Sequence, residues 1–560
     1  MKRTLILLLC LLWAGSACSK KLPAKPSAMP ATNLFGKNGA QVKERGDAEG
    51  IYAIWYGKQT AILDHPWIKG GQITMQWGDI EKGPGIYDWQ ELDAQMKAFN
   101  RQNRRTTLQF NGNVKPAWMF DVIPYYPGRL SIQVRDANTL MFWHPHFKKA
   151  YVDFLAALGE HLKASPYMSN VLGLRMNLNA YGTEQISVTA TAPEKDLGID
   201  HWVAPVAGDP DMRPWSRQEA TQYTKEVFEA HIKYIAPAVR VFVRNSIDET
   251  VYSPYSDLFR RGILCWFHTS SEAESRGNEH QYLVFMDYCR TGLTPAYAEP
   301  WASAWGEHGG ITDPRFCSPE QWNYWRILMD VNCGVSYMAI YANDLEVYTA
   351  GMKSGKAVSV SMRKEFREAF EFGMKYTSQH LYPETTPGVW AAFRSCDRSL
   401  CWDKPLKYLT EDYTLLALVQ PGKSYGEHNV GPDGERYGAW ARRLPAGEAM
   451  SVVMDPRFAA SISGTNVTLK VIYLDESHAK WHVAYAGQSF EVSNQASGQW
   501  KEVAWQVAAG EPSNDEHACE LIKGGMVAGR NKEQIAALHP DITITALSGL
   551  PAFHMVEILR

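Results

Sequence analysis

The alternation of short β-forming runs with longer helical segments is the feature that most constrains the fold of this chain. Between about residue 50 and residue 379, eight apolar or aromatic runs are separated by segments with helical periodicity. The predicted strands are residues 50–56, 71–77, 106–111, 171–179, 238–244, 263–268, 295–299 and 335–341. The predicted helices include residues 90–100, 147–163, 217–235, 278–290, 319–331 and 362–378. Eight strands alternating with helices predict a (β/α)8 TIM barrel, in which functional groups collect at the carboxyl ends of the strands.

The sequence pattern changes from about residue 387 onward. Short alternating runs are divided there by turns rich in Gly, Pro, Asn and Asp, which is the pattern of an all-β sandwich, here jelly-roll-like. A chain of 560 residues is too long for one ordinary core. We therefore expect a barrel over residues 50–385 and a β-sandwich domain over residues 386–560.

The amino terminus has the layout of a secretory signal peptide. A basic start and an apolar stretch from Leu5 to Trp13 lead to small residues that end at Cys18. This arrangement resembles a bacterial lipobox, which predicts a signal peptide at residues 1–17 and lipidation of Cys18. Ordinary cleavage nearby without a lipid is the alternative. Residues 18–49, rich in Lys and Pro, are predicted to be a tether from a membrane surface. The protein is thus expected to be exported from a bacterial cell and lipid-anchored, at the outer membrane or facing the periplasm.

Two carboxylates fall at the ends of predicted strands. Glu184 lies just beyond the fourth strand, and Glu299 ends the seventh. Strands four and seven place their carboxyl ends across the barrel mouth, so the two carboxylates would form an acid and nucleophile pair if they converge. For a single glutamate the ordinary interpretation is a surface or salt-bridged residue. Glu307, in the loop after Glu299, is a competing candidate.

Composition and motifs exclude several other classes of function. The chain carries 57 basic and 60 acidic residues, a net charge of −3, which predicts no nucleic-acid partner. The sequence has no Cys-x-x-Cys pair, no His-Glu-x-x-His motif and no Gly-rich phosphate loop. We therefore predict no metal and no organic cofactor, and contact with a membrane only through the lipid anchor.

The segment 70–93, GGQITMQWGDIEKGPGIYDWQELD, carries a family resemblance. It resembles the second-strand region of β-galactosidases of glycoside hydrolase families 42 and 35, in which a Trp and an acidic residue precede a Pro-Gly-x-Tyr-Asp-Trp turn. An acid after strand four and a nucleophile on strand seven are the arrangement of clan A retaining glycoside hydrolases. The resemblance covers about residues 50–345. One position departs from it: Thr183 precedes Glu184, where many clan members have Asn. Either Asn177 or Asn179 replaces that function, or the subsite differs.

The resemblance implies a carbohydrate substrate and a double-displacement mechanism. Glu184 would act as acid and base, and Glu299 as nucleophile, with the two carboxyl groups about 5 Å apart. A sugar ring packs its C–H face on aromatic rings, while its hydroxyls need polar partners. The predicted substrate-binding residues at the strand ends are Trp77, Asn111, Asn179, Asn245, Trp266, His268, Tyr297 and Trp301. Individually, each has the alternative role of core packing, helix capping or loop hydrogen bonding.

The function predicted from the sequence is that of an exported retaining glycoside hydrolase. It would cleave β-linked bonds in a polysaccharide or oligosaccharide, and the galactosidase-like turn favours a galactan. The alternatives are a surface glycan-binding protein on a barrel without catalysis, and an inverting or lyase-type enzyme on the same barrel. Arg175 is expected to point into the barrel floor or to pair with a carboxylate there. The β-sandwich is expected to buttress the barrel; otherwise Trp440, Trp481 and Trp500 would contact sugar.

Overall fold

The computed structural model describes residues 45–54, 60–183, 198–245, 247–269, 289–290, 294–300, 303–305, 318–393, 412–522 and 532–560. These residues belong to one compact unit, Glu44–Arg560. Several sequence predictions fall outside the described residues. They are the signal peptide, Cys18 and most of the tether, together with Glu184, Trp301, Glu307 and the side chain of His268.

Eight parallel strands close into a barrel in sequence order. The strands are β1 (Gly50–Ile54), β2 (Ile68–Gln76), β3 (Arg105–Asn111), β4 (Val171–Arg175), β5 (Val241–Arg244), β6 (Leu264–Thr269), β7 (Ala296–Glu299) and β8 (Tyr337–Tyr341). Strand β8 pairs with β1 from Gly50 opposite Tyr337 to Ile54 opposite Tyr341, which closes the sheet. The predicted TIM barrel is confirmed.

The fourth strand is shorter than predicted. It ends at Arg175 rather than Asn179 because the chain then curls back on itself. The main-chain N–H groups of Leu178 and Asn179 both donate to the Thr183 carbonyl, and Asn179 has a φ of 53°. A residue in this left-handed conformation ends an extended strand.

Helices cover the outside of the barrel. The longer ones are α1 (Gln90–Arg101), α2 (Pro145–Ala164), α3 (Arg217–Ala230, continued by a π turn, His231–Ile235), α4 (Pro319–Asn332), α5 (Ala342–Ala350) and α6 (Val360–Tyr376). Shorter helices are Trp77–Ile80, Glu249–Tyr252, Ser256–Arg260, Pro456–Ile462, His517–Glu520 and Lys532–Ala536. Among the described helices, none combines the length and the apolar character needed to cross a bilayer.

Local sequence signals explain where these helices begin and which face they bury. Ser216, Ser318 and Ser359 cap α3, α4 and α6, each accepting a hydrogen bond from a main-chain N–H in the first turn. Helix α1 buries Leu92, Met96 and Phe99, the spacing of one helical face. Its opposite face is polar and exposed, so α1 packs on the barrel with one side only.

The interior of the barrel changes from aromatic to polar toward the carboxyl ends of the strands. A buried cluster inside the barrel includes Tyr52, Phe242, Phe267, Tyr297 and Tyr337. Nearer the carboxyl ends the buried side chains are polar: Gln109, Asn111, Arg175 and Glu299. Among the described residues the barrel floor is therefore mainly aromatic, and the buried polar side chains of Gln109, Asn111, Arg175 and Glu299 lie nearer the mouth.

The carboxyl-terminal region forms two antiparallel sheets around a second apolar core. Its strands are β9 (Gly388–Ala392), β10 (Asp412–Thr414), β11 (Leu416–Gln420), β12 (Tyr425–His428), β13 (Trp440–Arg443), β14 (Ala449–Met454), β15 (Asn466–Asp475), β16 (Lys480–Tyr485), β17 (Gln488–Ser493), β18 (Gln499–Ala508), β19 (Ile542–Ser548) and β20 (Ala552–Leu559). One sheet has the order β10-β9-β20-β13-β12, with β15 pairing β20 and β18; the other has the order β11-β14-β19-β16-β17. The predicted β-sandwich is confirmed.

Aromatic side chains join the sandwich to the barrel. On α4, the Tyr324 hydroxyl lies 2.7 Å from His554 Nε2, and Trp325 Nε1 donates to the Arg436 carbonyl at 2.8 Å. Trp325 also packs edge-on against Trp440, with 4.9 Å between the ring centroids. Trp440 is buried at this interface, Trp500 is half-buried there, and Trp481 is buried in the sandwich core. This use of all three tryptophans supports a buttressing role for the sandwich.

A buried carboxylate adds an ionic connection to the same interface. Glu557 on β20 lies 2.7 Å from Lys470 Nζ of β15 and 3.3 Å from Lys375 Nζ of α6. It also accepts a hydrogen bond from the Tyr376 hydroxyl. Burial by itself raises the pKa of Glu557, but the two lysines and these hydrogen bonds lower it overall. The carboxylate therefore joins the last strand of the chain to the last helix of the barrel.

We expect Glu557→Gln to lower the free energy of unfolding by roughly 3 kcal/mol at neutral pH, because two partly buried lysines lose their counter-ion. Since the pKa is lowered by folding, the loss should shrink as the pH falls below about 4. Urea unfolding measures both effects. Glu502→Gln is the matched control, because Glu502 pairs with the same Lys470 at 3.4 Å but is 53% exposed. Equal losses of unfolding free energy in the two variants would contradict the conclusion that the buried Glu557 carboxylate stabilises this interface.

Candidate active site

A buried ion pair crosses the mouth of the barrel. Arg175, the last residue of β4, donates from Nη1 to both oxygens of Glu299, the last residue of β7, at 3.1 and 2.9 Å. The two side chains are only 4% and 7% exposed. Strands β4 and β7 are not neighbours, so both side chains must point into the barrel. Arg175 thus pairs with a carboxylate in the barrel, one of the two arrangements expected from its sequence.

The guanidinium of Arg175 is held in place from two further directions. It donates to Gln109 Oε1 at 2.8 Å, and it lies over the ring of Phe267, 4.3 Å from the ring centroid. A buried charge is tolerated when it is paired and hydrogen-bonded, and both conditions are met here. The position of the Glu299 carboxylate is therefore set by a side chain that is itself immobilised.

Amide side chains continue this network toward β3. Gln109 Nε2 donates to Asn111 Oδ1 at 2.7 Å, and Asn177 Nδ2 donates to the same oxygen at 2.9 Å. Asn177 Nδ2 also donates to the Phe110 carbonyl at 2.8 Å. The structure thus connects Asn111, a predicted hydroxyl binder, to Glu299 through a continuous chain of hydrogen bonds.

Tyr297 lies below Glu299 in the aromatic layer. Its ring packs on Phe242 and Phe267, with 5.3 Å between centroids in each case, and its hydroxyl accepts from Gln72 Nε2 at 3.1 Å. Burial, and next the charge of Glu299, raise the pKa of Tyr297 well above its usual value. The phenol therefore stays protonated and packed in the aromatic layer, and direct contact of Tyr297 with a sugar stays a prediction.

Two predicted sugar platforms belong to the core. Trp77 is fully buried against Phe147, Tyr151 and Phe154, and its Nε1 donates to Glu81 Oε2 at 2.7 Å. Trp266 is also fully buried, with Phe259 stacked at 4.4 Å and Tyr252 edge-on at 5.0 Å. Both rings pack toward the helices outside the barrel, and sugar binding by Trp77 and Trp266 stays a prediction.

Asn179 is used by the main chain of the loop after β4. Its Oδ1 accepts from the Gly112 N–H at 2.9 Å, and its Nδ2 donates to the Phe110 carbonyl at 3.0 Å. It is fully buried, and a Cβ on Gly112 would lie 2.8 Å from the Asn179 Cβ. In the structure its amide joins the loop after β3 to the segment after β4, and hydroxyl binding by Asn179 stays a prediction.

The other predicted binders have different outcomes. Asn245 follows β5 and is half-buried, with its main-chain N–H donating to the Phe267 carbonyl at 2.9 Å. The main chain of His268 lies in β6, paired with Ala298 of β7. These positions keep Asn245 and His268 at the carboxyl ends of their strands, as predicted. Trp301 and Glu184 lie outside the described residues.

The loop that precedes Glu184 in the sequence is fixed as far as Thr183. Gln133 Oε1 accepts from both the main-chain N–H and the hydroxyl of Thr183, at 3.1 and 3.2 Å. The Gly112 N–H also donates to the Gly182 carbonyl at 2.6 Å. Residues 176–183 after β4 are therefore joined by hydrogen bonds to the loop after β3.

A buried lysine that sequence reasoning missed connects the same two loops. Lys115 Nζ donates to the carbonyls of Gly112 and Tyr181, rather than to a carboxylate. Burial lowers the pKa of Lys115 to about 7, while the charge of Asp136 acts in the opposite direction. No pattern in the sequence marks this lysine. The polar character of β3 was a readable signal, because Thr107, Gln109 and Asn111 alternate with apolar residues.

The loop after β7 is held by an acid at the start of α5. Asp344 is fully buried, and both of its oxygens accept from the Ala304 N–H, at 3.1 and 3.2 Å. Burial raises the pKa of Asp344 to about 7, against the charges of Arg326 and Lys353. Next to this hydrogen-bonded contact, the ring of Trp305 stacks on that of Phe366, with 5.3 Å between the ring centroids. The segment shortly after Glu299 is therefore also attached to the helical layer.

One cluster within the described residues has the composition of a metal site: His144, Asp209 and Asp211. His144 Nδ1 accepts from the His146 N–H at 3.3 Å as the cap of α2, so the ring proton is on Nε2, 3.2 Å from Asp209 Oδ2. A metal on Nε2 would need that proton on Nδ1, where the main-chain N–H already donates. The cluster therefore fits a His–Asp hydrogen bond and does not fit a metal ion.

No protein-family model matches the chain, and no curated protein matches it. Solved structures similar to it include a glycoside hydrolase, 11% identical over 90% of this chain and 92% of its own, with a TM-score of 0.33. A thermostable mutant of a xylanase from Cellvibrio japonicus is 10% identical over 58% of this chain and 97% of its own, with a TM-score of 0.32. A carbohydrate-binding module of a laminarinase from Zobellia galactanivorans is 13% identical over 26% and 99%, with a TM-score of 0.15. Values this low supply no evidence on activity.

We expect Arg175→Met to lower the free energy of unfolding by about 3–5 kcal/mol, because it leaves the Glu299 carboxylate buried without its counter-ion. The double variant Arg175→Met/Glu299→Gln should recover most of that loss, since no charge then remains to be compensated. Urea unfolding of both variants and of wild type measures the difference. A double variant as unstable as the single one would show that packing of the arginine, rather than charge pairing, is what matters.

For Lys115 we expect a pH-dependent stability difference. The unfolded lysine keeps its proton up to about pH 10.4, whereas the folded one loses it near pH 7, so stability rises with pH between these values by up to about 1.4 kcal/mol per pH unit. Lys115→Met removes this contribution to the pH dependence of the free energy of unfolding. Its free energy of unfolding relative to wild type should therefore be highest below pH 7 and fall toward pH 10, as followed by urea unfolding. Lys97→Met, at an exposed position of α1, is the control and should show no such trend.

Proposed function

We propose that this protein is an exported, lipid-anchored retaining glycoside hydrolase that cleaves β-linked bonds of a polysaccharide or oligosaccharide. One observation carries the proposal: the Glu299 carboxylate lies at the carboxyl end of β7, held through both oxygens by Arg175. This is the end of a barrel at which reacting groups collect. The galactosidase-like segment before α1 favours a galactose-containing glycan.

The geometry suits Glu299 for nucleophilic attack. A single nitrogen of Arg175 donates to both carboxylate oxygens, and both side chains are buried, so the carboxylate is held in one orientation at the barrel mouth. The guanidinium stabilises the ionised form, which is the form that attacks. Attack on the anomeric carbon would form a covalent glycosyl-enzyme and release the leaving oxygen.

Glu184 is proposed as the acid and base of the same reaction. It would donate a proton to the leaving oxygen, and then remove one from the water that hydrolyses the intermediate. The rigid contacts of the preceding loop up to Thr183 support this role, since proton transfer needs a fixed donor position. In a retaining enzyme the two carboxyl groups would be about 5 Å apart.

A second function is favoured by the depth of the Glu299 ion pair. A carboxylate that is only 5% exposed and fully paired also suits a surface glycan-binding barrel that performs no hydrolysis. In that case the pair would be a structural element of the barrel mouth. Turnover of wild type on a broad panel of β-glycosides separates the two functions.

We expect Glu299→Gln and Glu184→Gln each to lower kcat/KM by at least roughly 100-fold, because each removes a group that reacts directly. Glu249→Gln is the control, since Glu249 follows β5 but is exposed. Proton NMR of the first product should show the substrate's anomeric configuration retained. Net inversion would exclude Glu299 as nucleophile, and no wild-type turnover on the panel would favour the binding protein.

A further inference from the structure

The two amides at the end of the hydrogen-bond chain, Asn111 and Asn177, have fixed orientations. Both are only 1% exposed. Asn177 faces the Phe110 carbonyl at 2.8 Å, and a carbonyl can only accept, so the Asn177 atom that faces it is Nδ2. Asn177 Oδ1 therefore points elsewhere.

The orientation of Asn111 is determined from both of its neighbours. Arg175 can only donate, so the Gln109 atom that faces it at 2.8 Å is Oε1, and Gln109 Nε2 is left to face Asn111 at 2.7 Å. Asn177 Nδ2 reaches the same Asn111 atom at 2.9 Å. Two donors converge on this atom, so it is Oδ1, and Asn111 Nδ2 points away from them.

One acceptor and one donor remain at the end of this chain. Asn177 Oδ1 is buried and has no hydrogen-bond partner among the described residues. Among the described residues, Asn111 Oδ1 accepts both hydrogen bonds of this side chain, and Asn111 Nδ2 donates none. A buried acceptor without a partner costs roughly 1–3 kcal/mol, and native proteins keep few of them. These two atoms therefore indicate a ligand that donates to Asn177 Oδ1 and accepts from Asn111 Nδ2.

We infer that Asn111 and Asn177 bind two hydroxyl groups of one sugar ring of the substrate. This inference rests on the proposed function and names what the site recognises. Asn111 Nδ2 donates to the oxygen of one hydroxyl, and the second hydroxyl donates to Asn177 Oδ1. The hydrogen bond of 2.9 Å between the two amides places both side chains at one point of the barrel mouth, so we assign both contacts to a single ring.

The same geometry selects against substituted rings. A sulfate ester or an anhydro bridge replaces the hydroxyl proton, so the oxygen that meets Asn177 Oδ1 can only accept. Two acceptors in contact at a buried site repel each other, and neither is satisfied. The hydroxyl that meets Asn177 Oδ1 is therefore an unsubstituted one, even when the rest of the glycan carries substituents.

The experiment compares Asn177→Ala with Asn170→Ala. Asn170 is also buried and donates from Nδ2 to a main-chain carbonyl, that of Arg104 at 2.9 Å, but it directly precedes β4 at the opposite end of the strand. The probes are 4-nitrophenyl β-D-galactopyranoside and its 2-deoxy and 3-deoxy forms. We expect Asn177→Ala to lower kcat/KM roughly 10- to 100-fold on the parent galactoside, and much less on the deoxy form that lacks its partner hydroxyl.

Asn170→Ala should lower the unfolding temperature without changing the ratio of kcat/KM between parent and deoxy substrates. If wild type cleaves the deoxy galactosides as well as the parent, or if Asn177→Ala keeps the wild-type ratio, the inference is overturned and a buried water satisfies Asn177.

If the wild-type protein shows no hydrolytic activity, the inference is tested by binding instead. NMR titration of wild type with methyl β-D-galactopyranoside and its two deoxy forms then measures whether the protein prefers the intact diol. Preference for the intact diol supports the inference while the hydrolytic proposal fails, and equal binding or none overturns the inference too.

Discussion

The ion pair between Arg175 and Glu299 is the interaction on which the organisation of the barrel mouth depends. A carboxylate this deeply buried is tolerated only when a cation and hydrogen bonds compensate for its lost hydration. The cation is in turn oriented by Gln109 and by the face of Phe267. Since strands β4 and β7 lie on different sides of the barrel, the pair also connects the two elements that carry the proposed reacting groups.

Side chains that hydrogen-bond to main-chain groups hold the loops around the site in place. Asn179, Lys115 and Gln133 hydrogen-bond to main-chain groups and join the loops after β3 and β4. Asp344 does the same for the loop after β7. Buried polar groups of this kind are costly unless satisfied, so their geometry is specific, and that specificity is what catalysis by positioned groups requires.

The sandwich contributes to the same rigidity from outside the barrel. Nearly every residue of α4 is buried, polar ones such as Arg326 and Asn323 included, because the barrel lies on one side of the helix and the sandwich on another. The tryptophans that could have formed a sugar platform on the sandwich lie in this interface or in the sandwich core. The sequence predicted this helix over residues 319–331, but only its contacts show that nearly all of its faces are buried.

The sequence by itself determined the number, order and type of the barrel strands, because apolar runs and turn residues act locally. It also placed Glu299 at a strand end and Arg175 within the barrel. Only the tertiary structure decided which side each strand-end residue faces. A shift of one residue along a strand reverses that side, so Trp266 packs outward while Gln109 and Asn111 point inward. Contacts between distant loops likewise separated Asn179, which holds the main chain, from Asn177, which keeps a free acceptor.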